Sequence, residues 1–206
     1  MPKTRTVTNK PPITVRPLLV HPTTEQIARA NELYEFDALK DSITAGRSNI
    51  YGALGEILFA DLYAQWNKVE SYNHDFVGPG GATVDIKTKR TTAVPEPHWN
   101  CTVAATSEHQ RPNYLFFLRI MESLTDAWVL GWLGRDEFYD RARFGKKGAD
   151  DPTSRGWTYK ADCWNVRVDE LRPATPTGTT SCATCDGLEG IAPKFVDYTN
   201  WCGCVF

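Results

Sequence analysis

The sequence predicts an α/β domain in which a mixed β-sheet is flanked by helices, and three observations support that prediction. Apolar residues recur at helical spacing between Ile50 and Trp66, which predicts a helix over about 49–66. Two extended stretches then flank a turn made of Gly78, Pro79, Gly80 and Gly81, and a strongly apolar pair of stretches farther along indicates a buried β-hairpin. The predicted strands cover 69–77, 82–90, 101–105, 114–121 and 127–133, and a final strand is predicted within 157–171.

The chain has 206 residues, enough to bury one substantial core. Its formal net charge of −2 gives no general attraction to nucleic acid, so a nucleic-acid surface would have to be a local basic patch. No stretch approaches the length of a membrane span, and the first residues contain no continuous apolar segment. We therefore expect a cytoplasmic or other intracellular protein with no membrane partner.

Composition divides the chain into three parts. Residues 1–22 are rich in proline, which predicts an extended N-terminal arm. Thr23 and Gln26 have the spacing of a capping box and predict the start of a helix and of the main domain, 23–172. Residues 173–206 form a Pro/Thr/Gly linker followed by a cysteine-rich tail.

Residues that can bind metal or act in acid–base chemistry concentrate between the predicted helix over about 49–66 and the second predicted strand, 82–90. Glu56 lies on the flank of the helical apolar stripe, and Asp75 lies in the first predicted strand. Asp85 and Lys87 are two residues apart in the second strand, so their side chains share a face. A four-residue loop between the strands would put Asp75 and Asp85 on opposite faces, whereas three or five residues would put them together.

The order of these residues resembles a known enzyme superfamily. A G-x-x-G-E helix segment, an aspartate in an extended piece, and V-D-I-K between β-branched residues are similar to the PD-(D/E)xK nucleases. That superfamily includes many restriction endonucleases, RecB-like and lambda-type exonucleases and archaeal Holliday junction resolvases. The resemblance covers roughly 47–120 and implies a restriction-endonuclease-like core that acts on DNA. The proline that names the motif is absent, since His74 precedes Asp75.

The resemblance also implies roles for particular side chains. The residues that match the superfamily's catalytic set are Glu56, Asp75, Asp85 and Lys87. Gln110 and Tyr114 match the Q-x-x-x-Y pattern of RecB-like members, so Gln110 is a possible supporting residue, while Tyr114 is more typical of a core position. Lys89 is a second possible supporting residue, for contact with a DNA phosphate.

The chemistry of phosphodiester hydrolysis agrees with that set. A divalent cation held by carboxylates can neutralise charge on phosphate, activate water and support the leaving oxygen. Mg²⁺ usually takes one or two protein carboxylates and keeps several waters. The predicted Mg²⁺ (or Mn²⁺) ligands are Glu56, Asp75, Asp85 and the carbonyl of Ile86. Lys87 would orient the attacking water or stabilise charge on the phosphate.

The prediction is thus a metal-dependent deoxyribonuclease, with an endonuclease slightly favoured over an exonuclease or a junction resolvase. The sequence leaves open RNA as the substrate. Cutting both strands of a duplex would suggest a homodimer, because one such centre cuts one strand at a time. The alternative is a binding module for nucleic acid or protein that uses a nuclease-like fold without catalysis.

Four of the six cysteines lie in the last 25 residues, as two close pairs. Cys182 with Cys185 and Cys202 with Cys204 could supply four thiolates to a tetrahedral structural Zn²⁺ in a small knuckle. An iron–sulfur cluster and disulfides are the alternatives. Cys101 and Cys163 are simplest as buried small residues.

Overall fold

The computed structural model describes residues 17–36, 49–152 and 156–174. Most of the predicted arm lies outside these ranges, and so does the linker beyond residue 174. The cysteines of the predicted knuckle, Cys182, Cys185, Cys202 and Cys204, also lie outside the described residues.

The described chain contains three α-helices and nine strands. The helices are α1 (Thr24–Phe36), α2 (Asn49–Leu62) and α3 (Arg135–Arg141). The strands are β1 (Leu18–Val20), β2 (Asn67–Lys68), β3 (Phe76–Val77), β4 (Thr83–Thr91), β5 (Asn100–Ala104), β6 (Tyr114–Met121), β7 (Ala127–Gly134), β8 (Arg143–Gly145) and β9 (Cys163–Arg167).

Six strands form the main sheet, in the order β1-β7-β6-β4-β3-β2. Strands β4 and β6 are parallel and the other neighbours are antiparallel, so the sheet is mixed. The predicted α/β class is confirmed, and β6 and β7 form the predicted buried hairpin. Strand β1 pairs with β7, so the end of the predicted arm is part of the sheet.

A second sheet was not predicted. It contains three antiparallel strands in the order β5-β9-β8, with Cys101 opposite Val166 and Phe144 opposite Trp164. Cys101 and Cys163 are both buried in it as free thiols, as their sequence context indicated.

Two apolar cores lie against the main sheet. One contains α2 and the strand residues that face it, and Phe59 is its centre, with ring centroids 4.9 Å from those of Tyr63, Phe76 and Phe116. The other core contains Leu115, Phe117 and Phe138 and joins the main sheet to α3 and the second sheet. The two cores together cover both faces of β6 and β7, whereas β4 contributes apolar residues only to the core around α2.

The local predictions differ in their outcomes. The capping box of α1 is confirmed, since the Thr23 amide donates to Gln26 Oε1 (2.8 Å) and the Gln26 amide donates to Thr23 Oγ1 (3.2 Å). Helix α2 ends at Leu62, four residues before the predicted end at 66. The strand predicted over 69–77 is confirmed only at its end, where β3 lies, and the residues before it form a loop that joins β2 to β3.

The polar sequence of that loop explains the error. The Asn73 amide donates to Ser71 Oγ (3.1 Å), a local bond that competes with strand pairing. No helix within the described ranges is long and apolar enough to cross a bilayer.

Candidate active site

The turn between β3 and β4 has the odd length that brings the two aspartates together. Val77 pairs with Thr83 and Phe76 with Val84, which leaves five residues in the loop and places Asp75 next to Asp85 in register. Two of the loop glycines, Gly80 (φ 72°) and Gly81 (φ 79°), have the left-handed backbone that glycine adopts without strain. The Asp75 amide donates to the Val84 carbonyl (3.0 Å), so the pairing of the chain with β4 reaches Asp75 itself.

The carboxylate of Asp75 is held against β4. Its Oδ2 accepts a hydrogen bond of 2.6 Å from the Ile86 amide. The pKa of Asp75 is nevertheless raised well above its ordinary value, first by burial and then by the negative charges of Asp85 and Glu56. The Ile86 amide and the Lys87 ammonium oppose that rise. The negative charges of Asp85 and Glu56 therefore act on Asp75, which is an arrangement that a cation relieves.

Asp85 and Lys87 form the second part of the site. Asp85 is buried, with 4% of its surface exposed, and the Lys87 ammonium lies 2.6 Å from its Oδ2. This oxygen has no partner in hydrogen-bond geometry among the described residues, so the ion pair alone compensates its charge. A buried anionic oxygen in that state is a suitable ligand for a second, more strongly charged partner.

Gln110 joins Lys87 to the loop before β3. The Lys87 ammonium donates to Gln110 Oε1 (3.3 Å), and Gln110 Nε2 donates to the Tyr72 carbonyl (2.8 Å). The amide thus fixes the lysine on one side and the 69–75 loop on the other. The structure places the predicted supporting residue Gln110 beside the predicted site.

Glu56 reaches the site from helix α2. Its Oε2 lies 2.8 Å from the Lys68 ammonium, and its charge contributes to the raised pKa of Asp75. Close packing of the helix on β4 makes this reach possible, because a Cβ on Gly55 would overlap the side chain of Thr88. At Gly52, in contrast, a Cβ would meet nothing within 4 Å.

The donor set fits a hard divalent cation. Carboxylate oxygens are the ligands that Mg²⁺ and Mn²⁺ prefer, and one or two of them are enough when water completes the shell. Within the described parts of the chain, no three His, Cys, Asp or Glu side chains already surround one ion position. The Asp75–Asp85 pair is the better founded part of the set, and Glu56 and the Ile86 carbonyl stay predictions.

Two residues matched in the sequence lie away from the carboxylates. Tyr114 packs at a right angle to Trp132, with 5.4 Å between ring centroids, as a core residue. Lys89 shares the face of Asp85 and Lys87, but its ammonium lies 5.6 Å from the centroid of the Trp157 ring. Sequence reasoning missed Lys68 and Tyr72. Lys68 belongs to the site only through its ion pair with Glu56, and Tyr72 contributes its backbone carbonyl, which side-chain patterns do not reveal.

No protein-family model matches this chain, and the search of curated proteins found no match.

Proposed function

We propose that the protein is a Mg²⁺-dependent deoxyribonuclease with a restriction-endonuclease-like core. The observation that supports this most is the pairing register in which Asp75 is opposite Asp85, with the Lys87 ammonium 2.6 Å from Asp85 Oδ2. The charges of Asp85 and Glu56 also raise the pKa of Asp75. Repulsion of this kind is costly for a fold unless the carboxylates have a cationic partner in function. Endonucleolytic cleavage is the favoured form of the activity.

Each side chain has a part in such a reaction. Asp75 and Asp85, with Glu56 from α2, would hold the cation, which when bound neutralises charge on the phosphate and activates water. Ile86 orients Asp75 through its amide, at 2.6 Å. Lys87 has three ammonium donors, and its contacts with Asp85 and Gln110 leave a donor for the phosphate or the attacking water.

The same contacts explain how the lysine is oriented. Asp85 provides a negative charge at 2.6 Å, and Gln110 accepts a second hydrogen bond at 3.3 Å. Gln110 would still hold Lys87 in place if Asp85 bound a cation. Gln110 is therefore a positioning residue in this proposal.

The cysteine tail completes the proposal. Cys182, Cys185, Cys202 and Cys204 would bind one structural Zn²⁺ with four thiolates. Metal analysis of the purified full chain should find one zinc per chain and little iron. Iron with acid-labile sulfide would instead indicate the iron–sulfur alternative.

Cleavage of supercoiled plasmid and of linear duplex tests the activity directly. Wild-type protein should cut in Mg²⁺ or Mn²⁺ and not in EDTA, and Asp85→Asn should reduce the rate by at least about a thousandfold. Asp136→Asn is the matched control, because Asp136 is 92% exposed on α3 and outside the site. Its activity should equal that of wild type.

The substrates also separate the forms of the activity. Cutting of the closed circle shows an endonuclease, cutting of the linear duplex alone shows a need for an end, and cutting of a four-way junction alone shows a resolvase. Equal cutting by wild type and Asp85→Asn, at matched unfolding midpoints, would overturn the site. DNA binding without cutting on any substrate would favour the non-catalytic binding module.

A further inference from the structure

The charged face of β4 continues beyond the carboxylates to an exposed aromatic ring. Trp157 is 43% exposed, and two ammonium groups lie near its ring, those of Lys89 (5.6 Å to the centroid) and Lys160 (5.4 Å). We call Lys89, Trp157 and Lys160 the tryptophan platform. An indole that is both exposed and flanked by cations has a flat apolar surface within reach of anionic groups.

The platform and the carboxylates lie on the same side of the main sheet. Side chains alternate along a strand, so Asp85, Lys87 and Lys89 share one face of β4, while Val84 and Ile86 face the core around α2. Lys89 is four positions along the strand from Asp85, which corresponds to roughly 13 Å. This separation is short enough for one nucleic-acid strand to contact both.

We propose that the tryptophan platform binds a single-stranded segment of nucleic acid by stacking an unpaired base on Trp157. The proposal deepens the proposed nuclease function, on which it rests, by naming the substrate class. Every base has an apolar face that stacks on an aromatic side chain, and the adjacent phosphates require cations. Lys89 and Lys160 provide those cations on the same ring that provides the stacking surface.

The chemistry of the platform favours a single strand over a duplex. In a continuous duplex the base faces are stacked on one another, so an indole can reach them only at an end or after unpairing. A lysine over an exposed ring is held weakly, and its flexible chain can leave the ring for a phosphate when a base takes its place. The platform would thus hold an unpaired strand whose backbone continues towards Lys87 and the carboxylates.

Fluorescence anisotropy of labelled oligonucleotides, measured in EDTA with the full chain, tests the platform without catalysis. Three probes are compared: a single strand, an abasic strand of the same length and a blunt duplex of that length. Wild type should bind the ordinary strand more tightly than the abasic strand, because only the former can stack. It should also bind the single strand more tightly than the duplex.

Variants assign the difference to particular side chains. Trp157→Ala should weaken binding of the ordinary strand about tenfold and leave the abasic strand unchanged, whereas Trp157→Phe should retain most of the affinity. Lys160→Gln should weaken the binding of both the ordinary and the abasic strand, because it removes attraction to phosphate. Phe144→Ala is the control: Phe144 is a 50% exposed aromatic residue of β8 that packs on Trp164 and has no lysine over its ring in the described structure.

The outcomes separate the platform from the nuclease. Equal affinity of wild type for ordinary and abasic strands overturns the platform, and this result does not depend on whether any variant folds. An equal loss of affinity for the ordinary and the abasic strand in Trp157→Ala would also overturn the platform. Asp85-dependent cleavage without Trp157-dependent stacking would support the nuclease and overturn the platform. Trp157-dependent stacking without cleavage on any substrate would support the platform and overturn the nuclease.

Discussion

The two faces of strand β4 show how one strand of nine residues serves two purposes. On one face, Val84 and Ile86 are buried in an apolar core against α2. On the other, Asp85 is buried to a similar degree but with a charge, and Lys87 and Lys89 follow it. Burial of apolar groups stabilises the fold, whereas burial of a charge costs stability unless a partner compensates it. The comparison separates the residues that build the domain from those of the proposed metal site.

The largest effect on stability should come from the apolar face. Ile86→Ala removes buried methyl groups beside α2 and should lower the free energy of unfolding by about 2–5 kcal/mol. Urea unfolding followed by circular dichroism measures this. Lys87→Met, on the opposite face of β4, should lower the free energy of unfolding much less and should reduce cleavage. A larger loss of stability for Lys87→Met than for Ile86→Ala would contradict the comparison of the two faces.

Helix α2 offers a pair of matched substitutions on the same side. Gly55→Ala should destabilise by about 1–3 kcal/mol, because the new methyl group overlaps the Thr88 side chain. Gly52→Ala meets nothing within 4 Å and should stabilise by up to about 1 kcal/mol through helix propensity. Thermal unfolding of the two variants checks the opposite signs, and equal signs would mean that α2 does not lie this close to β4.

The charged face should reveal itself in the pH dependence of stability. The folded pKa of Asp75 is raised, mainly by burial and then by Asp85 and Glu56, so the folded state favours the protonated acid. Below the pKa of Asp75 in the unfolded state, Asp75 is protonated in both states and its contribution to stability is fully present. As pH rises from there through the folded pKa of Asp75, that stability is lost. Asp75→Asn should therefore gain stability over wild type at pH 8 and lose that advantage near pH 3.

Unfolding midpoints of wild type and Asp75→Asn across this pH range measure the effect. Added Mg²⁺ should narrow the difference at pH 8 by stabilising only the wild type. A constant difference at every pH would show that the carboxylates do not repel one another in the folded protein.

The smallest effect concerns the positioning of Lys87. Gln110→Ala removes the acceptor at 3.3 Å from the lysine and the donor to the Tyr72 carbonyl. We expect the cleavage rate to fall about tenfold, in line with the loss of one hydrogen bond to a charged group. Gln110→Glu keeps an acceptor for Lys87 and should recover much of the rate, whereas equal loss in both variants would indicate a purely structural role.

The sequence predicted the apolar face of β4 better than its charged face. Periodicity and β-branched residues determine helix α2 and strand β4, because each buries one side of its own pattern. The register of Asp75 against Asp85 stayed open in the sequence, since a glycine-rich turn tolerates loops of several lengths. It became fixed only through the five-residue loop with Gly80 and Gly81 at positive φ.

Strands β5 and β9 overlap predicted strands, but their pairing with β8 into a second sheet, and the partners of the site, were beyond sequence reasoning for a physical reason. Strand β8 has three residues, too few for a recognisable alternation, and it exists because β9 pairs with it. Lys68 is part of the site because it pairs with Glu56, and Tyr72 because its carbonyl accepts a hydrogen bond from Gln110. Contacts between segments far apart in sequence produce each of these features.

The most direct test of the central claim is the binding of Mn²⁺ to the folded, zinc-saturated protein, measured by electron paramagnetic resonance of free Mn²⁺. The charged face of β4 predicts saturable binding by wild type, loss of that binding in Asp85→Asn, and unchanged binding in Asp136→Asn. Equal affinity of all three proteins for Mn²⁺ would contradict a cation site at Asp75 and Asp85.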